Sequence, residues 1–237
     1  MTSSEEPQAL GITQMADLVG LSQATTHRYA STFVRLGYLE QQASRRYRLA
    51  PRAADPGVQV IGEIRHALPA RAVLEELREQ VGHTVSMGTL HGARVIYIHR
   101  LFGHPRGQHE IDRELHVGAH VPAYCTALGK VLLASLADAK RRERVATMDL
   151  VPQGPRSIVE HAELLAELGR VNLGAPIVSD EELAIGARSI AVLVRQPSGK
   201  QPIAIDVTVP STAYTPTQLL KQIGAELMRV ASLISRI

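Results

Sequence analysis

Apolar positions recur along this chain with two different periods, and the change of period divides it. In "GITQMADLVG" the residues Ile12, Met15, Ala16 and Val19 fall on one stripe, which predicts a short amphipathic helix closed by Gly20. Leu21 is expected to plug the corner that follows, and Ser22 has the side chain of an N-cap for the next helix. In "QATTHRYASTFVRLG" the residues Thr26, Tyr29, Ala30, Phe33 and Leu36 form the core-facing stripe of that helix. Gln23, Thr25, His27, Arg28, Thr32 and Arg35 face away. The segments "YLEQ" and "YRLA" read as two short strands joined by a tip that carries Arg45 and Arg46. Helix, glycine turn, capped helix and hairpin make a winged helix-turn-helix.

Beyond Pro56-Gly57 the periods alternate. "ALPARAVLEELREQVG" is helical in spacing, while "TVSMGTL" and "ARVIYIHRL" are β-branched runs around the turn His91-Gly92. Residues 103 to 120 read as an irregular polar loop with some extended structure between Ile111 and Val117. "AYCTALGKVLLASLADAKRRERVATM" opens a helical region, and "SIVEHAELLAELGRV" starts with the spacing of a capping box, Ser157 to Glu160. Two more strands, "SIAVLVR" and "QPIAIDVTV", flank the turn Gln196-Pro197-Ser198-Gly199. The last helix takes Thr215 as cap and Pro216 at its first position. Hairpins interspersed with helices predict an α+β domain with a mainly antiparallel sheet. The expected division is residues 1–52 for the winged helix, 53–67 for a linker and 68–237 for the larger domain.

Composition narrows the function. At 237 residues the chain has room for two ordinary domains. No apolar run approaches the ~20 residues of a bilayer-spanning helix, and the N-terminal "MTSSEEPQAL" lacks the basic and apolar regions of a secretory signal, so the expected location is the cytoplasm. One cysteine, Cys125, leaves no internal disulfide and no cysteine-built zinc site within the chain. The net charge is only +3, but the basic residues are unevenly placed. Between residues 13 and 52 there are six arginines (28, 35, 45, 46, 48 and 52) against two acids, Asp17 and Glu40. Such a local excess suits a polyanion, because neutralising phosphates releases condensed counterions. On the helix, Gln23 and Arg28 offer bidentate donors to base edges, and Ser22, Thr25 and His27 offer shorter contacts. Arg45, Arg46 and Arg48 on the wing are suited to phosphates. The plainer reading of each arginine alone is a solvated helix surface; the glycine turn, cap, polar face and basic wing together favour double-stranded DNA.

Further along, "VPAYCTALGKVLLASL" and "DEELAIGARSIAVLV" resemble, in this order, two stretches characteristic of the IclR family of bacterial transcription regulators. The resemblance runs from the helix-turn-helix to the final helix. It implies a GAF-like effector-binding domain behind the DNA-binding domain, assembly as homodimers or tetramers on operator DNA, and repression or activation controlled by a small organic or aromatic acid; no cofactor is expected. Carried over by motif, it assigns Cys125, Thr126, Ala127 and Leu128 to the effector site, with Ser179, Asp180 and Ser189 from the second motif. Asp206 and Thr208, at alternate positions of one strand, and Ser86 and Met87 on the neighbouring one are further lining candidates. Asp206 would repel an acid unless it were protonated or neutralised by a neighbour: either it accepts hydrogen bonds from a hydroxylated ligand, or the ligand is uncharged or cationic. The family carries a further helix before the position of Ile12 and commonly a continuous helical linker, so the start of the chain and the dimer geometry stay open.

Two rival functions have residues behind them. Cys125 at a helix start is a candidate nucleophile with a histidine as base, although no glycine-rich oxyanion turn accompanies it. His91, His99, His104, His109, His116 and His120 lie in one stretch and suggest metal sensing, although a solvated loop is the plainer reading of them.

Overall fold

The computed structural model describes residues 9–55, 67–105, 111, 115–197 and 200–236. The chain divides into two compact units, residues 1–63 and 64–237. Most of the expected linker, Pro56-Gly57 included, lies outside the described residues, as do His109 and the Ser198-Gly199 end of the last turn.

In the first unit α1 (Ile12–Val19) ends at Gly20, whose φ of 67° is left-handed and whose N–H returns to the Ala16 carbonyl. The helix α2 (Gln23–Arg35) is capped by Ser22, whose side chain accepts from the Thr25 N–H. The strands β1 (Leu39–Gln41) and β2 (Tyr47–Leu49) pair antiparallel, and Leu10 adds a bridge to Tyr47 that gives the wing a third, minimal strand. A short 3-10 turn, Pro51–Ala54, follows. The apolar stripes are only half realised. Thr26 and Ala30 are buried, but Tyr29, Phe33 and Leu36 are about half exposed, and Leu21 does not fill the corner. A unit this small encloses the innermost turn of each helix face and no more.

The second unit has one six-stranded antiparallel sheet, ordered β5-β4-β3-β8-β7-β6. Its central strands are β3 (Thr84–His91), β4 (Arg94–Leu101), β7 (Ala187–Val194) and β8 (Ile203–Pro210). Two short edge strands that periodicity did not reveal, β5 (His120–Pro122) and β6 (Ile177–Asp180), complete it. The helices α3 (Ala67–Val81) and α7 (Pro216–Ile234) pack against the sheet, as does α4 (Ala127–Ala134). The helices α5 (Asp138–Ala146) and α6 (His161–Arg170) extend the layer that includes α4. The proposed capping box at Ser157 does not form. The helix starts at His161, and the Ser157 hydroxyl instead accepts from the N–H groups of Gln153 and Gly154 and donates to the Glu182 carbonyl.

Residue alternation gives the sheet two unlike faces. Ile203, Ile205, Val207 and Val209 point one way along β8, and Ala204, Asp206 and Thr208 the other. The second face is apolar beneath the middle of α4, where Leu128, Val131 and Leu132 join Leu90, Val95 and Tyr97 in the core. Gly129 lets α4 pack closely on the segment that leads into it, since a Cβ there would fall on the Ala123 carbonyl.

Candidate functional sites: an exposed helix face and a buried polar cavity

The outer face of α2 carries Gln23, His27 and Arg28, all exposed, with Ser22 at the cap. Thr25 is partly covered, and its hydroxyl accepts from Ser22 Oγ at 2.9 Å. The wing arginines have unequal surroundings. Arg45 sits at the tip with a φ of 59°. Arg46 folds back, its Nε donating to the Ala9 carbonyl at 2.8 Å and its Nη2 reaching Gln14 Oε1. Arg48 pairs with Glu40 across the hairpin at 2.7 Å. Arg52 donates to the Leu36 carbonyl and lies over the Tyr38 ring. Of the wing cations the sequence nominated, Arg46 and Arg48 therefore have structural partners within the unit.

On the second face of the sheet, polar residues replace the apolar ones at the end beside the α4 N-terminus. Cross-strand register aligns Arg100, Ser86 and Asp206 in one row and Thr84, Thr208, Ser189 and Ser179 in the next. These strands enclose a cavity with room of about 20 Å³. Asp206, Thr208, Ser189, Ser179, Cys125 and Thr126 line it, together with Tyr97, Arg100, Ile111, Leu115, Leu183, Ala187 and Arg188. Five assigned residues do not. Met87 is fully buried and alternates to the opposite face. Ser86 is one contact removed, accepting from Arg100 Nη1 at 2.8 Å. Ala127 and Leu128 belong to the α4 core, and Asp180 turns to Arg188 and Arg156 in an ion-pair cluster.

Arg100 was missed, although a cation inside "IYIHRL" is the sequence signal for it. It is buried, its Nε donates to the Leu115 carbonyl at 3.1 Å, and its guanidinium lies 4.6 Å from the centre of the Tyr97 ring. These contacts fix a planar, permanently charged donor on the cavity wall. Behind the other wall, Lys130 is buried between Glu182 and Glu167, at 2.5 and 2.6 Å. Ser179 Oγ donates to Glu182 Oε1 at 3.0 Å, which ties the cavity wall to this charged cluster. Burial raises the Glu182 carboxyl above its ordinary range against the opposing pull of Lys130.

The rival chemistries find little to work with. Burial, with a contribution from Glu182, pushes the Cys125 thiol up to about 12, so it is a neutral thiol near pH 7 and not a nucleophile. The histidines disperse: His91 and His120 approach each other edge to face, His104 lies beside Glu79, and His116 Nδ1 is bonded to the Val117 carbonyl. Among the described residues no three His, Cys, Asp or Glu side chains converge on a metal position. Also among them, no helix is long and apolar enough to cross a membrane.

A winged helix with a polar exposed helix face, followed by an antiparallel domain that encloses a small polar cavity, defines a ligand-sensing transcription regulator. Residues 59–236 match the model for the C-terminal domain of the bacterial transcriptional regulator IclR, and residues 4–43 match the IclR helix-turn-helix domain. The chain belongs to the IclR family of bacterial transcriptional regulators. It is 30% identical to the Pca regulon regulatory protein of Pseudomonas putida over 91% of this chain and 72% of that one. An IclR homolog from Microbacterium hydrocarbonoxydans, solved with 4-hydroxybenzoate, shares the fold with a TM-score of 0.79 at 20% identity, over 98% of this chain and 94% of that one. The inducer-binding domain of PobR from Acinetobacter, solved as a double mutant with 3-hydroxybenzoic acid, is 26% identical with a TM-score of 0.61, over 70% of this chain and 95% of that one.

Proposed function

We propose that this regulator binds operator DNA through the α2 face and the wing tip, and that a small hydroxylated aromatic acid in the polar cavity changes that affinity. The observation that carries the ligand class is the placement of Arg100 and Asp206 on the same cavity, one residue apart across Ser86. Arg100 reaches Ser86 on the intervening strand, and Ser86 pairs with Asp206, so the two charged groups face the same part of the cavity. Arg100 supplies the cation for a carboxylate and offsets the charge of Asp206. Asp206 accepts a hydrogen bond from a ligand hydroxyl, helped by Ser179, whose own proton is committed to Glu182. Tyr97 and Leu183 offer the ring its apolar walls. The present cavity holds no more than a water-sized guest, so Ile111 and Leu115 must move for a ring to enter. The hydroxybenzoates bound by two members of the fold are of this chemistry.

At the DNA, Gln23, His27 and Arg28 are the groups for base edges, Ser22 and Thr25 hold the helix start, and Arg45 is the phosphate contact. The chain acts in the cytoplasm as a homodimer or tetramer, since a helix of this kind reads one half-site and a pair reads two. The ligand acts by binding two arrangements of that assembly with different affinity.

The test is calorimetric titration with benzoate, 3-hydroxybenzoate and 4-hydroxybenzoate, repeated on Arg100→Met and Asp206→Asn, alongside operator binding with and without each acid. The expected result is that hydroxybenzoates bind, that Arg100→Met abolishes binding of every acid, and that Asp206→Asn reduces the preference for hydroxylated ones. Equal affinity of wild type and Arg100→Met would overturn the ligand assignment.

A further inference from the structure

The charged cluster behind the effector cavity is buried at a cost that its own contacts do not explain. Lys130, on α4, lies 2.6 Å from Glu182 Oε1 and 2.5 Å from Oε2, with Glu167 of α6 on its other side at 2.6 Å. An ammonium set against both oxygens makes acceptors of both, so Glu182 is a carboxylate. A buried ion pair of this kind is seldom worth more than apolar side chains that fill the same space, so stability alone does not account for it.

The backbone is bent to bring Glu182 there. Its neighbour Glu181 has a φ of 54°, in the left-handed region that residues with side chains rarely occupy. Several bonds hold that turn. The Glu181 N–H donates to the Ala187 carbonyl at 2.9 Å, and its own Oε1 accepts from the Gly186 N–H at 2.7 Å. The carbonyls of Glu181 and Glu182 accept from the N–H groups of Arg156 and Gly154. Gly154 lets that segment close in, since a Cβ there would lie 2.2 Å from the Glu181 carbonyl oxygen. Glu182 is thereby turned inward, buried, toward the hydroxyl of Ser179.

Ser179 is where the cluster meets the cavity. Its hydroxyl has one proton and two acceptors within reach, Glu182 Oε1 at 3.0 Å and the Cys125 carbonyl at 3.4 Å. The nearer acceptor is also the charged one, and it takes the proton. Ser179 is left with lone pairs alone to show the cavity.

We infer that Glu182 is a positioning residue for the effector: it fixes the Ser179 hydroxyl as an acceptor, so that this wall selects guests whose ring substituent brings an N–H or O–H donor to it. The inference rests on the effector reading and deepens it by giving the wall a polarity. Glu182 acts on the ligand only through Ser179, and its isosteric replacement should reverse that polarity. In Glu182→Gln the amide Oε1 stays with Lys130, Nε2 donates to Ser179, and the serine proton turns toward the cavity. A ligand hydroxyl can accept that proton. An aryl amine, whose lone pair is delocalised into the ring, cannot.

The test is calorimetric titration of the full chain with the 3- and 4-isomers of hydroxybenzoate and aminobenzoate. The quantity read is the affinity of the amine relative to the hydroxyl at one ring position, because a general loosening of the cavity weakens both alike. Glu182→Gln should shift that ratio against the amine by roughly fivefold or more. Glu167→Gln removes the same charge from the same lysine without touching Ser179, and should leave the ratio within about twofold of wild type. In a Ser179→Ala background, Glu182→Gln should likewise leave it unmoved. If the glutamine variant does not fold, Lys130→Met/Glu182→Leu takes its place; it too frees the Ser179 proton and should move the ratio in the same direction. A ratio unmoved by loss of the Glu182 carboxylate, moved equally by Glu167→Gln, or still moved without the Ser179 hydroxyl would overturn the inference and leave the effector reading standing. Failure of wild type to bind any of these acids would overturn both.

Discussion

The two units of this chain perform recognition with opposite uses of burial. The DNA-binding unit has a thin core, Ala16, Thr26, Ala30, Tyr47 and Ala50 being the buried residues of its helices and wing, and its working groups stand outside on a capped helix. The effector-binding unit has a dense core on both faces of a six-stranded sheet, and its working groups are enclosed. A surface that reads DNA needs exposed donors, so burial and function fall on different residues. A cavity that selects a small acid needs buried polar groups, and these compete with the core for the same positions. Substitutions should therefore separate stability from recognition in the first unit and confound them in the second.

The largest expected effect is Gly129→Ala. The new Cβ meets backbone, not a movable side chain, so α4 must lift from Ala123. A loss of about 4 kcal/mol or more is expected in urea unfolding of the second unit, with operator-independent folding of the first unit unchanged by circular dichroism. If both units lose stability together, they are one cooperative system and the contrast fails.

Next comes Lys130→Met. Removing the cation strands Glu182 in a buried position, at a cost of about 3 to 5 kcal/mol. The double change Lys130→Met/Glu182→Leu should recover much of it, because a well-packed apolar pair replaces a desolvated ionic one. A double mutant as unstable as the single one would mean that the cluster has no apolar equivalent.

A smaller effect sharpens the contrast on the wing, where two adjacent arginines should behave differently. Arg45→Ala should lower the salt dependence of operator binding by about one counterion without altering the melting temperature. Arg46→Ala should instead destabilise the unit by about 1 kcal/mol, since it ties the wing to Ala9 and Gln14. Identical salt slopes for both variants would return Arg46 to the phosphate-contacting set.

This difference also explains what the sequence disclosed. The helix-turn-helix is legible because its signals are local: Gly20 must be left-handed, Ser22 caps within three residues, and exposed side chains follow from period alone. Four long strands of the second unit were equally plain, since their alternation is continuous. Arg100 and the loss of Met87, Ala127 and Leu128 from the site were not, because membership of a cavity depends on register among strands far apart in sequence. The half-buried stripe of Tyr29, Phe33 and Leu36 misled for the same reason: an apolar face shows what could be covered, and only the remainder of the fold decides whether it is. Ser157 carried a true capping pattern whose hydroxyl was claimed by Glu182, twenty-five residues away.

The effect at Cys125 is a matter of pH. In the unfolded chain its thiol ionises near 9, but in the folded one only at about 12, chiefly because of burial. Between these values the folded chain holds the proton that the unfolded chain releases, so folding stability falls as pH rises above about 9. Urea melts from neutral pH to pH 10.5 should show this decline, and Cys125→Ala, once its lower baseline is subtracted, should show a shallower one. The same burial predicts that iodoacetamide labels the wild-type thiol only under unfolding conditions. Rapid labelling of the native protein at pH 8 would mean an accessible thiolate, which would reopen the nucleophile reading and place a reactive group on the wall of the effector cavity.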